Sequence, residues 1–211
     1  MMRRIVLLGA GGHAQVVFDT LKLCGDAIQV IAVLDDAPHL WGQLFQGHVI
    51  DGPLAKLAQL PVDGAFVAIG DNRARQRASA IVRAAGVPLI NALHPRAVIA
   101  ADAILGSGIA AFANVVVNPG ARIADAVILN TACTVDHHGQ IGAHAHIAPG
   151  AHLAGGVRVG EGALIGIGAA VIPQILIGKW ATIGAGSVVV RDVPDHATVV
   201  GVPARILKRK D

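Results

Sequence analysis

The run LNTACTVDHHGQIGAHAHIAPGAHL, residues 129–153, decides the fold. Leu129, Val135, Ile141, Ile147 and Leu153 stand six residues apart in it. The same step gives Leu93, Ile99, Leu105, Ala111, Val117 and Ile123 before it, and Val159, Ile165, Val171, Ile177 and Ile183 after it. Sixteen hexapeptides thus run in unbroken register from Leu93 to Val188, and fifteen of the sixteen lead positions are Leu, Ile or Val. Four places further on, small or β-branched residues recur, among them Ala97, Val115, Val127, Cys133, Ala145, Ala163 and Ser187. No amphipathic helix has a six-residue period, whereas an even period keeps the aliphatic residues on one face of short strands. The pattern predicts a parallel β-helix whose coils stack on one another. Gly106, Gly142, Gly160, Gly166, Gly178 and Gly184 recur between the aliphatic positions, where the corners are expected to need unusual backbone angles.

Composition agrees with that reading. The 211 residues are 54% hydrophobic and only 15% charged, enough to bury a large core. A narrow β-helix interior takes aliphatic side chains rather than rings, which accounts for 3% aromatics and no Tyr. No run of about 18 apolar residues is free of Gly, Pro and charge, so no membrane span is expected. The apolar run in the opening MMRRIVLLGAGG reaches only from Ile5 to Ala10, too short for a signal peptide. Cys24 and Cys133 are far apart in sequence and Cys133 falls on an inward position, which points to buried thiols in a reducing cytoplasm. A formal charge of +3 suits anionic small molecules and is too weak and dispersed for nucleic acid.

The chain divides on this pattern into residues 1–92, the repeats of 93–190, and a turn and basic tail over 191–211, the repeats stopping after Val190. The first segment alternates strand and helix: strands from Arg4, at Gln29–Leu34, Gly64–Ile69 and Leu89–Ile90, with helices after Gly12, from Asp51 to about Gln59, and over Arg73–Ala85. Such alternation predicts a small parallel sheet that binds ligands at the carboxyl ends of its strands. Gly9-x-Gly11-x-x-Ala14 joins the first strand to the first helix, where glycines let backbone N–H groups approach a phosphate. Asp35 ends the next strand, where an acid accepts a bond from a ribose or base. A purely structural turn is the competing reading of the glycines. A segment under 95 residues offers half of a dinucleotide sheet, so a nucleotide bearing one sugar fits better than NAD.

Five of the ten histidines, His137, His138, His144, His146 and His152, crowd into sixteen residues. His137 and His138 take the third and fourth places of their hexapeptide, on the corner side, within reach of solvent or a neighbouring subunit. An imidazole there suits removal of a proton from an amine or hydroxyl. His144 and His152 read as surface residues, and a zinc site is the rival account of the cluster.

With these motifs the chain resembles bacterial nucleotide-sugar acetyltransferases of the NeuD/PglD group, within the left-handed β-helix hexapeptide acyltransferases. The resemblance rests on Gly9-Ala-Gly-Gly-His13, Leu34-Asp35-Asp36, Ala68-Ile-Gly-Asp-Asn72, Leu129-Asn130-Thr131, Val135-Asp136-His137, His146-Ile-Ala-Pro-Gly150, Ala154-Gly155-Gly156 and Val200-Gly-Val-Pro-Ala-Arg205. It implies a Rossmann-like α/β half domain that holds the nucleotide sugar, followed by a left-handed parallel β-helix. It also implies a homotrimer with acetyl-CoA in the groove between adjacent β-helices, active sites between subunits, and no metal. On the matching positions His137 is the base that deprotonates the attacking amine, and the Gly155 N–H is the oxyanion donor. His146 contacts the acetyl end of the cofactor, and Asn130 lines the acceptor pocket. Gly11, Gly12, His13, Asp35, Asp36 and Asn72 belong to the nucleotide-sugar site, while Ile167, Ala185, Gly201 and Pro203 flank pantetheine and adenine.

The acid that often follows the base in this group is replaced here by His138, which leaves the partner of His137 open. The resemblance implies N-acetylation of a nucleotide-linked 4-amino-4,6-dideoxyhexose in the cytoplasm, feeding surface polysaccharide or glycoprotein synthesis. Three alternatives stand beside it: O-acetylation of sialic acid or another sugar, a zinc hydratase of the carbonic anhydrase type, and a non-catalytic β-helix binding protein.

Overall fold

The computed structural model describes residues 2–24 and 28–209, so Lys210 and Asp211 of the expected tail lie outside the described residues. The chain forms two compact units, one ending at Pro95 and the other beginning at Arg96.

In the first unit, β1 (Arg3–Leu8) leads into α1 (Gly12–Leu23) and β2 (Ile28–Leu34). A short hairpin, β3 (Leu44–Phe45) and β4 (His48–Val49), precedes β5 (Gly64–Val67) and α2 (Asn72–Ala84). The sheet is parallel with order β2–β1–β5. Its central strand is buried on both faces, Ile5 to Leu8 being inaccessible, so these residues read as a continuous apolar run rather than an alternation. Val6, Leu8, Leu34, Val67, Ala78 and Val82 pack into one core.

Three local features differ from or add to the sequence reading. The short helix expected from Asp51 to about Gln59 is a 3₁₀ helix over Leu54–Gln59. Leu89 makes a single bridge to Ala65 and no strand, because Pro88 has no N–H with which to extend the ladder. The hairpin had no signal in the aliphatic pattern; Gln46 and Gly47 both have positive φ, as a two-residue turn between strands requires.

The second unit is a left-handed parallel β-helix. Each strand between Val98 and Val189 is two residues long, and neighbouring strands there pair 18 positions apart: Val116 with Thr134, Arg122 with Gln140, Ile128 with His146. Three hexapeptides therefore make one coil, and the coils build three parallel sheets. The lead residues from Ala111 to Ile183 are all buried, as are the small residues four places on from Val115 to Ser187. Each fully buried Leu, Ile or Val contributes roughly 1.5–3 kcal/mol.

The corner glycines are corrected. The left-handed backbone lies at the place three after each lead residue, without interruption from Gly108 to Gly186, and half of these residues are not glycine: Asn114, Ala126, Ala132, His138, His144, Gln174 and Trp180. Gly106, Gly142, Gly160, Gly166, Gly178 and Gly184 are not among the residues with positive φ. They are small because the next coil lies against them; a Cβ on Gly160 would stand 2.6 Å from Lys179 N and one on Gly142 2.6 Å from Glu161 N.

The helix also continues past Val190, against the expectation that it stops there. Val193 bridges Ile177 and Val199 pairs with Ile183, spacings of 16 residues in place of 18, so a last coil runs on two residues short. Asp192 and Asp195 accept the N–H groups of Leu176 and Lys179 across the shortened turns. Arg205–Arg209 then pairs antiparallel with Ala197–Val200 and covers the edge of that sheet. No helix among the described residues is long and apolar enough to cross a membrane.

Gly160→Ala should therefore cost more stability than Gly168→Ala. The first forces backbone apart, whereas the second meets no atom within 4 Å and adds only a left-handed alanine, worth about 1–2 kcal/mol. Thermal melting of the two variants checks the order.

Candidate active site

The left-handed corner at residues 136–138 carries the first group of candidate residues. Thr134–Val135 ends one strand, and the chain turns outward through Asp136, His137 and His138, both histidines being exposed. Asp136 Oδ1 accepts the His137 main-chain N–H at 2.7 Å and Asn118 Nδ2 at 2.9 Å. The His137 N–H first, and Asn118 second, hold the Asp136 carboxyl below the usual carboxylate range. His137 Nδ1 lies 3.1 Å from His138 Nδ1, the two rings edge to face. One coil on, Gly155 leaves open the space into which the His137 ring projects; any Cβ there would collide with Nε2. Among the described residues no group accepts a hydrogen bond from the Gly155 N–H. An imidazole with one nitrogen held and the other against a glycine whose N–H is unengaged is chemically a base beside an anion donor.

His146 and Asn130 form a second group, on the sheet that precedes this one along each coil. Asn130 Oδ1 accepts the Thr131 N–H at 2.8 Å, so its amide nitrogen donates to His146 Nε2 at 3.1 Å and leaves the neutral ring's proton on Nδ1. The corner that follows this sheet is a ladder: Gly150 N donates to Thr131 O, Gly168 N to Pro149 O and Gly186 N to Ile167 O. Ile167 and Ala185 are thus consecutive rungs, both exposed, and Gly201 takes the corresponding place after Val199. His137 is not brought to these residues; their corner leads into the next sheet, that of Thr134 and His152, and His137 stands on the opposite corner of that next sheet. A groove of about 530 Å³ lies along that sheet, lined by Asn118, Asp136, His152 and Ile172 among others. His152 is exposed and its Nδ1 lies 3.0 Å from Thr134 Oγ1. His144, expected at the surface, is buried at 4% exposure. No group of three His, Cys, Asp or Glu among the described residues is placed to hold a metal ion. Cys133 is buried in the core, which pushes its thiol up to about 12.

The first unit holds a separate pocket of about 560 Å³ at the carboxyl ends of β1, β2 and β5, lined by Gly9, Gly11, Gly12, His13, Asp35, Asp36, Gly70 and Arg77 among others. Gly9 has φ of +107°, and a Cβ there would meet Ala68 O at 2.9 Å. Gly11 caps α1 with no side-chain bond, so the first N–H groups of the helix open toward the pocket. The acids serve the walls: Asp35 takes the N–H groups of Ala10 and Ala37, and Asp36 that of Leu54.

Asn72 does not line this pocket. Its Oδ1 accepts from Arg75, a residue that sequence reasoning passed over within an Arg-rich helix. Arg75 is 1% exposed and donates to the Ile69 and Gly70 carbonyls, fixing the loop that forms one wall. Burial lowers the Arg75 guanidinium to about 10, still charged at neutral pH. Burial, with the Arg75 charge second, lowers His13 to about 4, so His13 is a neutral hydrogen-bonding group. Arg77, exposed on α2, supplies a positive charge to the pocket. Asp71 accepts the Ala74 N–H and so caps α2 just ahead of Asn72 and Arg75.

Comparison with known proteins follows both units. Residues 4–82 match the family model of the PglD N-terminal domain. PerB from Caulobacter crescentus, solved with CoA and GDP-perosamine, is 42% identical with a TM-score of 0.91, covering 99% of each chain. A variant of the perosamine N-acetyltransferase of that organism, solved with the same two ligands, is 41% identical with a TM-score of 0.92, covering 99% of this chain and 98% of that one. The acetyltransferase domain of PglB from Neisseria gonorrhoeae, with acetyl coenzyme A, is 37% identical with a TM-score of 0.90, covering 98% of this chain and 100% of the other. Similarity to a serine acetyltransferase of Bacillus pumilus is local: 62% over 39 residues, 18% of either chain.

The lowered His13 has a consequence for stability. The unfolded chain binds a proton near pH 6.5 that the folded chain refuses until about pH 4, so stability is full above 6.5 and falls as pH drops toward 4. His13→Gln should show a smaller loss of melting temperature between pH 7.5 and pH 5 than the unsubstituted protein.

Proposed function

This chain belongs to the PglD/NeuD type of left-handed β-helix sugar N-acetyltransferases, and on that footing we propose that it transfers acetyl from acetyl-CoA to the amine of a nucleotide-linked 4-amino-4,6-dideoxyhexose. The observation that carries the reading is the His137 ring set against bare Gly155, in a chain similar over its whole length to proteins solved with CoA and a nucleotide amino sugar.

Transfer is direct. His137 Nε2 removes a proton from the sugar ammonium or from the amine as it attacks the thioester carbonyl, and the Gly155 N–H donates to the oxygen on which charge develops. The C–N bond forms, the C–S bond breaks, and the thiolate of CoA takes up a proton as it leaves. His146 stands at the acetyl end of the cofactor, with its ring fixed by Asn130. Ile167, Ala185, Gly201 and Pro203 flank pantetheine and adenine along the exposed corner ladder. The nucleotide diphosphate lies over the open N-terminus of α1 with Gly11 and Gly12, with Arg77 as counter-charge and His13 as neutral partner. A homotrimer completes the site: the His137 corner and the His146 row flank one sheet, so a neighbouring β-helix on that sheet brings together what one chain keeps apart. The cytoplasm, where acetyl-CoA and nucleotide sugars are made, is the place of action.

Thiol release from acetyl-CoA, run against UDP- and dTDP-linked 4-amino-4,6-dideoxy sugars, GDP-perosamine and free sialic acid, tests the reading. Release with one nucleotide amino sugar names the substrate; release with sialic acid alone moves the chemistry to oxygen and overturns it. His137→Ala should lower kcat by ~10²–10⁴-fold with an unchanged melting point. Arg77→Ala should raise KM for the nucleotide sugar roughly tenfold and leave KM for acetyl-CoA alone.

A further inference from the structure

The His137 ring needs a partner at Nδ1, and Asp136 is not it. The bonds that Asp136 makes go to the main-chain N–H of His137 and to Asn118, so the carboxylate fixes the corner's backbone. The contact at Nδ1 is made by His138, at 3.1 Å. His138 is itself well determined: its φ of 58° sets it in the left-handed corner, its N–H donates to Pro119 O, and its ring lies over Gly120, where a Cβ would stand 3.0 Å from Cδ2.

Two imidazole nitrogens at that distance hold one proton between them, which leaves two arrangements of the neutral pair. With the proton on His137 Nδ1, the His137 lone pair is on Nε2, facing Gly155. With the proton on His138 Nδ1, neutral His137 carries its own hydrogen on Nε2 and has no base there. We propose that His138 is a positioning residue: its unprotonated Nδ1 accepts a hydrogen bond from His137 Nδ1–H and so keeps the His137 lone pair on the nitrogen that meets the substrate. The inference rests on His137 being the base. When Nε2 takes the amine proton, the Nδ1–H···Nδ1 bond stays as it was and nothing moves within the pair. A neutral acceptor thus performs the orienting task for which a carboxylate is the commoner choice. The titratable groups on the coils packed against this corner are Asp102, whose carboxylate accepts the Gly120 N–H, together with Asp136 and His152.

Three substitutions at one site test this in the full-length protein, with acetyl-CoA and the nucleotide amino sugar that supports thiol release. His138→Gly deletes the ring where glycine is at home in the left-handed corner. His138→Asn puts an amide oxygen, an acceptor that does not titrate, near the position of Nδ1; His138→Asp puts a carboxylate there, and both residues tolerate this backbone. The expected result is a loss of ~10–100-fold in kcat for His138→Gly with KM for acetyl-CoA unchanged. His138→Asn should recover most of that loss. His138→Asp should recover it too and move the acid limb of kcat/KM upward by about one pH unit, because a carboxylate favours the imidazolium. Unchanged kcat and acid limb in His138→Gly overturn the inference, and so do equal losses in all three variants with a lowered melting point. Retention of activity by His137→Ala overturns the base reading and the inference together, whereas loss there with no effect at His138 overturns the inference alone.

Discussion

Everything in the second unit depends on the main-chain ladder that joins residues 18 apart. Because the coils are parallel and each strand is only two residues long, no strand is stable by itself; each is held by the coil before and the coil after. Register is set at every corner by a residue with left-handed backbone, and the chain accepts non-glycine residues there at half of the positions. The stored cost, of order 1–2 kcal/mol at each such residue, is offset by the lead aliphatic residues that every coil buries. The last coil, two residues short, still keeps Val193 and Val199 beneath Ile177 and Ile183. Burial of the column is conserved from coil to coil where residue count is not.

Chemistry enters where that constraint relaxes. His137 and His138 take two successive corner places with exposed side chains, unlike the corner residues Ala126 and His144, which are buried. Small residues then act as negatives of the rings: Gly155 one coil on gives His137 its space, and Gly120 one coil back gives His138 its own. The same absence of Cβ atoms that lets Gly142 and Gly160 pack against the next coil here makes room for two imidazole rings. Glycine thus serves three ends in this fold: backbone angle, coil contact and room for an imidazole.

The first unit works by a different economy. Its pocket is framed by a buried guanidinium, and the carboxylates at its rim are committed to N–H groups of the loops that shape it. His13's own burial first, and the Arg75 charge second, keep it neutral, while Arg77 adds an exposed positive charge beside the open helix N-terminus. That arrangement suits an anion held by backbone donors and one mobile cation.

The period of six determined, from sequence alone, that the chain is a β-helix, which residues form its column, and that Cys133 is inside, because burial on one strand face leaves a strict mark on residue order. The glycine loop and the strand–helix alternation likewise determined a parallel sheet with its pocket at the carboxyl ends. Tertiary structure alone decided which corner positions turn left-handed, since alanine, histidine and glutamine stand there without a glycine signal. It alone decided that His144 is covered, that Asn72 bonds to Arg75 and does not line the pocket, and that His138 rather than Asp136 meets the His137 ring. Asn72 with Arg75, and His137 with His138, are close in sequence, yet which of their atoms meet depends on the helix and the left-handed corner that hold them.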